Sequence, residues 1–184
     1  MNILGSFCFA FLLIVRLAQM NQSRIGLLGI LLAMQAGLTA FWMIFRRKSS
    51  VEAHWTIQLL AWFSAIVPLT MQTSENARLS WLSVPGLLVM LWAFWNLGSS
   101  FAIAPAARRL VISGPYRFLR HPMYAGELFS LAGFCVASPL VWNWSVLLVF
   151  ALSIWYRISQ EEILLKRYAM YAHFVKWRLM PGVW

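Results

Sequence analysis

Long stretches without a charged residue are the feature that most limits what this chain can fold into. Residues 25–45 give 21 consecutive positions without Asp, Glu, Lys or Arg. A helix of about 20 apolar residues is long enough to span the hydrocarbon core of a bilayer. A run of this length is typical of a transmembrane helix, so we predict an integral membrane protein.

The amino-acid composition supports the same class. Hydrophobic residues make up 61% of the 184 residues and charged residues only 11%, whereas soluble domains carry about 25% charged residues. A chain this apolar would not remain disordered. Its two cysteines are too few for a disulfide scaffold. We therefore expect an all-α integral membrane protein that folds as a polytopic helical bundle.

Five apolar segments are candidates for helices. They cover residues 3–18, 25–45, 53–71, part of 79–107 and part of 128–156. We predict that the first four span the membrane. The last segment has 29 residues, roughly 44 Å as one helix, which exceeds a hydrocarbon core of about 30 Å. Because Pro139 lies near its middle, the segment is either a kinked fifth span or a hairpin of two short helices.

The distribution of Lys and Arg favours the hairpin. With a cytoplasmic amino terminus, the hairpin places 12 of the 15 cations on the cytoplasmic side, in line with the positive-inside rule. A single kinked span would leave 7 cations against 8. The hairpin also brings the 102–122 loop and the carboxyl-terminal tail to the same face. The formal charge of +10 then reflects topology and lipid headgroups, and we expect no nucleic-acid partner.

Residues 156–177 are predicted to form a cytoplasmic amphipathic helix after the hairpin. Leu164, Tyr168, Tyr171 and Val175 recur at helical spacing and would share its apolar face. The predicted fold is therefore four spanning helices, a carboxyl-terminal helical hairpin (or a kinked fifth span) and this amphipathic helix.

Polar side chains concentrate first in residues 108–127. Gly114-Pro115 predicts a turn, and Pro122 suits the first turn of the helix that follows. The free backbone N–H groups at that helix start could bind an anion. Glu127 lies at the edge of an apolar helix, where an ionisable group is costly unless it is paired.

The second polar concentration is residues 157–184. Arg157 and Glu161 are four residues apart, so they share one helix face and could simply pair with each other. From the residues alone, the two polar segments are either topology cations with a surface ion pair, or parts of a catalytic site.

Two strings of residues carry a resemblance to a known family. The first is Gly114-Pro115-Tyr116 followed by Arg120-His121-Pro122-Met123-Tyr124-Ala125-Gly126, and the second is Glu161-Glu162 with Tyr168, Tyr171, Arg178 and Pro181-Gly182. Together they resemble the signature of the isoprenylcysteine carboxyl methyltransferase family, over roughly residues 92–181. The wider superfamily includes phospholipid N-methyltransferases.

The resemblance implies a helical membrane methyltransferase that binds S-adenosyl-L-methionine on the cytoplasmic side. It assigns Arg157 to the reaction centre, as the catalytic residue that orients the acceptor. Residues 1–184 would form one transmembrane methyltransferase domain, with the amino-terminal helices in 1–78 and the cofactor-binding, catalytic half in 79–184. Position by position, the resemblance assigns cofactor binding to Arg109, Leu110, Val111, Tyr116, His121, Pro122, Met123, Tyr124 and Glu161.

The chemistry of S-adenosyl-L-methionine suits these residue types. Tyr116 and Tyr124 could face its sulfonium or stack on its adenine. The backbone N–H groups near Pro122 and Met123 could bind its carboxylate. Glu161 could accept hydrogen bonds from its ribose hydroxyls or its amino group.

The expected acceptor is a lipophilic small molecule or a lipidated group that enters from the bilayer. Methylation of a carboxylate is preferred, since Arg157 could hold it by two parallel hydrogen bonds. The alternatives are N-methylation of a phospholipid headgroup amine, with His121 or Glu162 as the base, and a non-catalytic membrane subunit of the same fold. No metal site is predicted. Because the extra amino-terminal helices of eukaryotic members are missing, we expect a multi-pass protein of a prokaryotic inner membrane.

Overall fold

The described residues fold into a set of packed helices. The computed structural model describes residues 7–14, 27–45, 53–72, 79–101, 103, 110–165 and 168–182. Over these ranges there is no strand, which confirms the predicted all-α fold. The helices are α1 (7–14), α2 (Leu27–Phe45), α3 (Trp55–Ile66), α4 (Val84–Leu97), α5 (Pro122–Ala137), α6 (Val141–Leu164) and α7 (Tyr168–Phe174).

Among the described residues, three helical segments are long and apolar enough to cross a bilayer. They are Leu27–Phe45, Ser80–Ser100 and Val141–Leu164, while Trp55–Thr70 and Pro122–Ala137 are apolar but shorter. The chain is therefore an integral membrane protein, as predicted. The count of four spanning helices beside the hairpin stays a prediction.

Helices α5 and α6 form the predicted hairpin. They have 16 and 24 residues, and Ser138, Pro139 and Leu140 separate them. The hydroxyl of Tyr124, near the start of α5, donates a hydrogen bond to Glu161, near the end of α6. The two helices must therefore run antiparallel, and the start of α5 lies beside the end of α6.

Asn143 stabilises the closed end of this hairpin, where residues 138–140 connect α5 to α6. Its side chain is fully buried, and its Nδ2 donates to the carbonyl oxygens of Gln72 (2.8 Å) and Ser138 (2.9 Å). Its Oδ1 accepts a hydrogen bond from the backbone N–H of Gln72 at 2.9 Å. These bonds attach the start of α6 to the end of the α3 segment, since Gln72 follows the 3₁₀ turn Val67–Thr70.

Glycines allow α4 and α5 to pack closely. A Cβ atom on Gly126 would lie 2.5 Å from the backbone nitrogen of Met90 and 2.6 Å from the carbonyl oxygen of Gly86. A Cβ on Gly133 would lie 2.5 Å from the carbonyl oxygen of Leu82. These distances are well inside van der Waals contact, so α5 could not approach α4 this closely with larger residues at these positions. Small residues serve this purpose at many helix interfaces in membranes.

The predicted amphipathic helix over 156–177 is wrong in its continuity. Helix α6 runs on to Leu164, the backbone of Leu165 is extended (φ −79°, ψ 117°), and α7 has only seven residues. The break lets Tyr168 turn back and donate a hydrogen bond to Glu162, which it could not reach six positions along one straight helix. Tyr168, Tyr171 and Val175 are nevertheless buried together, as the pattern predicted.

Candidate functional site

The first residue of the site is His121, which directly precedes α5. The turn before it is formed by the 3₁₀ segment Gly114–Arg117, where Gly114 has φ +59°, and α5 then starts at Pro122, as predicted. The backbone N–H of His121 donates to the carbonyl oxygen of Arg178 at 3.0 Å. The loop before α5 and the carboxyl-terminal segment therefore lie together, as the hairpin prediction required.

The buried His121 ring lies between the two adjacent carboxylates at the end of α6. Its Nδ1 lies 3.8 Å from Oε2 of Glu161, and its Nε2 lies 3.4 Å from Oε1 of Glu162. Nε2 is also 3.3 Å from the Tyr168 hydroxyl. The ring stacks against Tyr124, with centroids 5.9 Å apart and an interplanar angle of 17°.

Glu162 is fixed by several donors. The guanidinium of Arg178 makes a bidentate pair with it, with Nε to Oε1 and Nη2 to Oε2 both at 2.8 Å. The Tyr168 hydroxyl donates to Oε1 at 2.6 Å. Because these bonds engage both carboxylate oxygens, Glu162 is a structural anchor for the carboxyl-terminal segment and is poorly placed to act as a general base.

Glu161 has a different environment from its neighbour. Its Oε1 accepts the hydrogen bond from the Tyr124 hydroxyl, and its side chain is 20% exposed. A partly exposed carboxylate with one hydrogen-bond donor fixed on it, and an imidazole nitrogen at 3.8 Å, has lone pairs left to accept hydrogen bonds from a ligand. The pairing of Glu161 with Arg157, which their spacing allowed, is not among the contacts of either side chain in the described part of the chain.

Arg157 is buried at 4% exposure in the interior of α6. Its Nη1 donates to the Ser64 hydroxyl at 3.1 Å and its Nη2 to the carbonyl oxygen of Ile103. Its Cζ lies 4.9 Å from the centroid of the Tyr124 ring. Its Nε has no hydrogen-bond partner among the described residues, although it is buried. An unsatisfied buried donor is costly, so this N–H is available for a ligand.

Arg120 attaches the carboxyl-terminal segment to the loop before α5. Its Nε and Nη2 donate to the carbonyl oxygens of Val175 (2.6 Å) and Ala172 (3.1 Å). The Tyr171 hydroxyl donates to the carbonyl oxygen of Tyr116 at 2.6 Å. These contacts hold the carboxyl-terminal segment against the loop before α5, next to the site.

Outside the membrane helices, burial and neighbouring charges keep three tyrosine hydroxyls and one arginine protonated. Burial, with Glu161 nearby, raises the pKa of the Tyr116 hydroxyl. Burial and the hydrogen bond to Glu162 raise the pKa of Tyr168, and burial raises the pKa of Tyr171 to about 12. The hydrogen bond to Glu162 raises the pKa of Arg178. At neutral pH the three tyrosines are therefore protonated, and Arg178 is positively charged.

The structure brings together some of the residues predicted from the sequence and separates others. His121, Tyr124, Arg157 and Glu161 form one cluster, and Tyr116 is near enough to Glu161 to interact electrostatically. The others lie around it. Pro122 is a buried helix start, Met123 packs against three hydrophobic clusters, Leu110 packs beside Tyr168 and Tyr171, Val111 is half-buried, and Arg109 lies outside the described residues.

Two contributors to the site were missed in the sequence. Ser64 and the carbonyl of Ile103 hold Arg157, but neither belongs to a polar segment. The available signal for Ser64 was a hydroxyl within the apolar run 53–71. A backbone carbonyl such as that of Ile103 gives no signal in a sequence.

A cavity of about 400 Å³ lies between α1, α2, α3, α4 and α5. Apolar side chains form most of its lining. Glu127 is the one charged side chain among the described lining residues, and Ser83 is a polar one. Glu127 is three residues after Tyr124 on α5, so the cavity lies next to the cluster around Arg157.

Comparison with known families identifies a match over half of the chain. The model of the family described as phospholipid methyltransferase matches residues 79–171, half of the chain. No curated protein matches the chain. The matched segment includes α4, α5, α6 and the start of α7, and therefore His121, Tyr124, Arg157 and Glu161.

Proposed function

Because the chain belongs to the phospholipid methyltransferase family, it is a membrane methyltransferase, and we propose that it transfers a methyl group from S-adenosyl-L-methionine to a lipophilic acceptor in the bilayer. One observation carries the proposal. The Tyr124 hydroxyl is bonded to Glu161, and the face of its ring lies against the Arg157 guanidinium. The proposed cofactor carboxylate and the proposed acceptor-orienting cation would then both lie next to one aromatic side chain.

The residues present fit the cofactor. Its sulfonium supplies an electrophilic methyl group, and the acceptor takes this group in an in-line displacement that leaves the sulfur as a thioether. Glu161, with its partly exposed carboxylate, would accept hydrogen bonds from the ribose or the amino group. Tyr124 and Tyr116 would offer aromatic faces to the positive charge.

His121 would position the cofactor-binding groups. Its ring contacts both Tyr124 and Glu162, so it links the ligand-facing side of the site to the fixed pair of Glu162 and Arg178. Since methyl transfer depends on placement and on exclusion of water, such rigid support is expected to matter more than proton transfer.

The acceptor group that we prefer is a carboxylate. The unpartnered Nε–H of Arg157 supports this preference, because a buried guanidinium with a free donor favours an anion. A carboxylate needs no base before it attacks. Arg157 would hold one oxygen in place while a lone pair of the carboxylate forms the new bond to the methyl carbon.

An amine acceptor is the second candidate, and Glu127 favours it. This carboxylate lines the apolar cavity beside the reaction centre, where it would bind an ammonium group. The bonds that engage Glu162 argue against that residue as the base for an amine, and His121 remains the candidate base.

We place the catalytic machinery in residues 79–184, with residues 1–78 contributing helices to the acceptor cavity and, through Ser64, support for Arg157. We also propose that the site faces the cytoplasm, because the predicted topology puts most cations on that face.

Calorimetric titration of S-adenosyl-L-methionine into detergent-purified protein tests the proposal. Saturable binding at a 1:1 ratio is expected, followed by transfer of a labelled methyl group to lipids from a bilayer extract. Failure of the protein to bind the cofactor would overturn the proposal and favour a non-catalytic membrane subunit. If transfer occurs, an acid-labile and base-labile ester product identifies a carboxylate acceptor, and a stable product identifies an amine.

A further inference from the structure

Two polar groups of the cavity lining have no role in methyl transfer to a carboxylate, the preferred acceptor. Glu127, which is half-buried, lines the cavity from α5, and Ser83 lines it from the start of α4. Ser83 is 2% exposed, and its hydroxyl has no hydrogen-bond partner among the described residues. A buried hydroxyl without a partner is costly. Both groups therefore point to a polar ligand inside a mostly apolar cavity.

The charge of that ligand follows from the surroundings of Glu127. The ion pairs in the described part of the chain involve His121, Glu161, Glu162 and Arg178, and they leave Glu127 out. Arg157 interacts electrostatically with Glu127, but its Nη groups are bonded to Ser64 and Ile103. An ionisable residue at membrane depth is expensive unless it meets a partner. A positively charged ligand group would supply one.

We propose that Glu127 is the specificity-determining residue for the methyl acceptor, that it binds an ammonium group of the acceptor in the cavity, and that the Ser83 hydroxyl is a second polar contact. The acceptor would then be an amphiphile that carries an ammonium group close to an anionic group. This inference rests on the proposed function, since it places the acceptor beside Arg157.

The spacing along α5 makes this arrangement possible. Glu127 follows Tyr124 by three residues, which is about 4.5 Å along a helix axis. The ammonium would therefore bind less than one helical turn from the ring that lies against Arg157. The free Nε–H of Arg157 would take the anionic group. A zwitterionic headgroup can be methylated at an anionic oxygen, or at its nitrogen once the ammonium has given a proton to Glu127, so the inference holds for a carboxylate and for an amine acceptor.

A pair of single-chain probes tests the inference. Dodecylphosphoethanolamine carries the ammonium, and its hydroxyl analogue, the dodecylphosphate ester of ethylene glycol, replaces that ammonium by a hydroxyl group. Binding of each to the full chain in maltoside detergent is measured by calorimetry below the micelle concentration of the probe. The ammonium probe is expected to bind at least about tenfold more tightly, as for a charge-assisted contact.

Variants identify Glu127 as the source of the preference. Glu127→Gln is expected to bind the two probes equally, whereas Glu127→Asp keeps the charge and should retain part of the preference. Gln35→Leu, which changes another polar residue of the cavity lining, is the matched control and should keep the full preference. Melting temperatures in the same detergent show that each variant is folded.

Equal binding of the two probes to the wild-type protein would overturn the inference without any variant. So would a Glu127→Gln protein that still prefers the ammonium probe. A failure of the proposed methyl transfer would be detected separately, as an absence of S-adenosyl-L-methionine binding in the same calorimeter. A preference for the ammonium probe without cofactor binding would support the subsite and reject the methyltransferase mechanism.

Discussion

The Tyr124 hydroxyl donates a hydrogen bond to Oε1 of Glu161, 37 residues further along the chain. The bond joins the first turn of α5 to the last turns of α6, so it depends on the hairpin. It also fixes one oxygen of a carboxylate that is 20% exposed, and it leaves the other side of the group accessible. Any loss of the hairpin would therefore also remove the proposed cofactor-binding carboxylate from its position.

Glu161→Gln should weaken S-adenosyl-L-methionine binding by about tenfold to a hundredfold. The amide keeps the shape of the side chain but removes a charged acceptor, and hydrogen bonds to charged groups contribute about 1.5–3 kcal/mol. Calorimetry on the detergent-purified variant measures the change in dissociation constant.

Ser159→Ala is the control for this variant, since Ser159 lies on the same helix and its exposed hydroxyl bonds only the carbonyl oxygen of Trp155 among its described contacts. It should bind the cofactor like the wild type. If Glu161→Gln also binds like the wild type, Glu161 has only a structural role as the partner of Tyr124.

Arg157→Lys should leave S-adenosyl-L-methionine binding nearly intact while turnover falls by at least about a hundredfold. Lysine keeps the charge but lacks the planar guanidinium. That group bonds Ser64 and Ile103 through its Nη atoms and still has its Nε–H for the acceptor. An interaction made mainly in the transition state lowers kcat and kcat/KM together. Steady-state kinetics with the acceptor found in the lipid screen measures both.

Two outcomes would reject the role given to Arg157. Full turnover in Arg157→Lys would leave Arg157 with only a structural role, as the partner of Ser64 and Ile103. A loss of cofactor affinity as large as that in Glu161→Gln would place it in the cofactor pocket. In either case Arg120 and Arg178 are poor replacements, because Arg120 is bonded to backbone carbonyls and Arg178 to Glu162.

Gly126→Ala should destabilise the bundle by about 1–3 kcal/mol, the usual cost of overpacking. The added Cβ would meet the backbone of Met90 and Gly86, which cannot move without separating α4 from α5. A lower melting temperature in detergent measures the effect. Gly37→Ala is the matched control, since its Cβ would meet only Leu13 side-chain atoms at 3.7 Å or more, and it should melt at or above the wild-type temperature. Equal melting of both variants would contradict the close packing of α4 on α5.

Cysteines placed at Phe118 and Lys176 should be labelled by a membrane-impermeant reagent from the same side of sealed vesicles. Both positions are exposed and lie at the end of the hairpin where α5 begins and α6 ends. A cysteine at Val141, which is 84% exposed at the closed end, should be labelled from the opposite side. The experiment uses a background without Cys8 and Cys135. Labelling of Phe118→Cys and Lys176→Cys from opposite sides would rule out the hairpin in the membrane.

The helices of this protein were largely predictable because their causes are local. Charge-free runs indicated membrane helices, Pro139 indicated the break between α5 and α6, and Gly114-Pro115 and Pro122 indicated the turn and the start of α5. Each of these signals acts on the backbone at its own position, through hydrophobicity, a missing N–H or a restricted dihedral angle. Tertiary context was not needed to read them.

The amphipathic helix over 156–177 shows where local signals fail. Three of its four predicted apolar positions, Tyr168, Tyr171 and Val175, do pack together, whereas Leu164 is not among the residues of that cluster. The helix nevertheless stops at Leu164, and Tyr168 then turns back to Glu162. Helical spacing of apolar residues predicts which side chains are buried. Whether the helix continues through them depends on the shape of the surface that they pack against.

By itself, the sequence determined the class of the protein, the helices and the two polar segments that come together, because these follow from apolar runs and local breaks. Only the tertiary structure decided the partners within the site. Arg157 could pair with Glu161 four positions away, yet it bonds Ser64 at a separation of 93 residues and Ile103 at a separation of 54, while Glu161 bonds Tyr124. The physical reason is that a buried charge takes whichever donors and acceptors the packed helices place around it, and that placement is a property of the whole bundle.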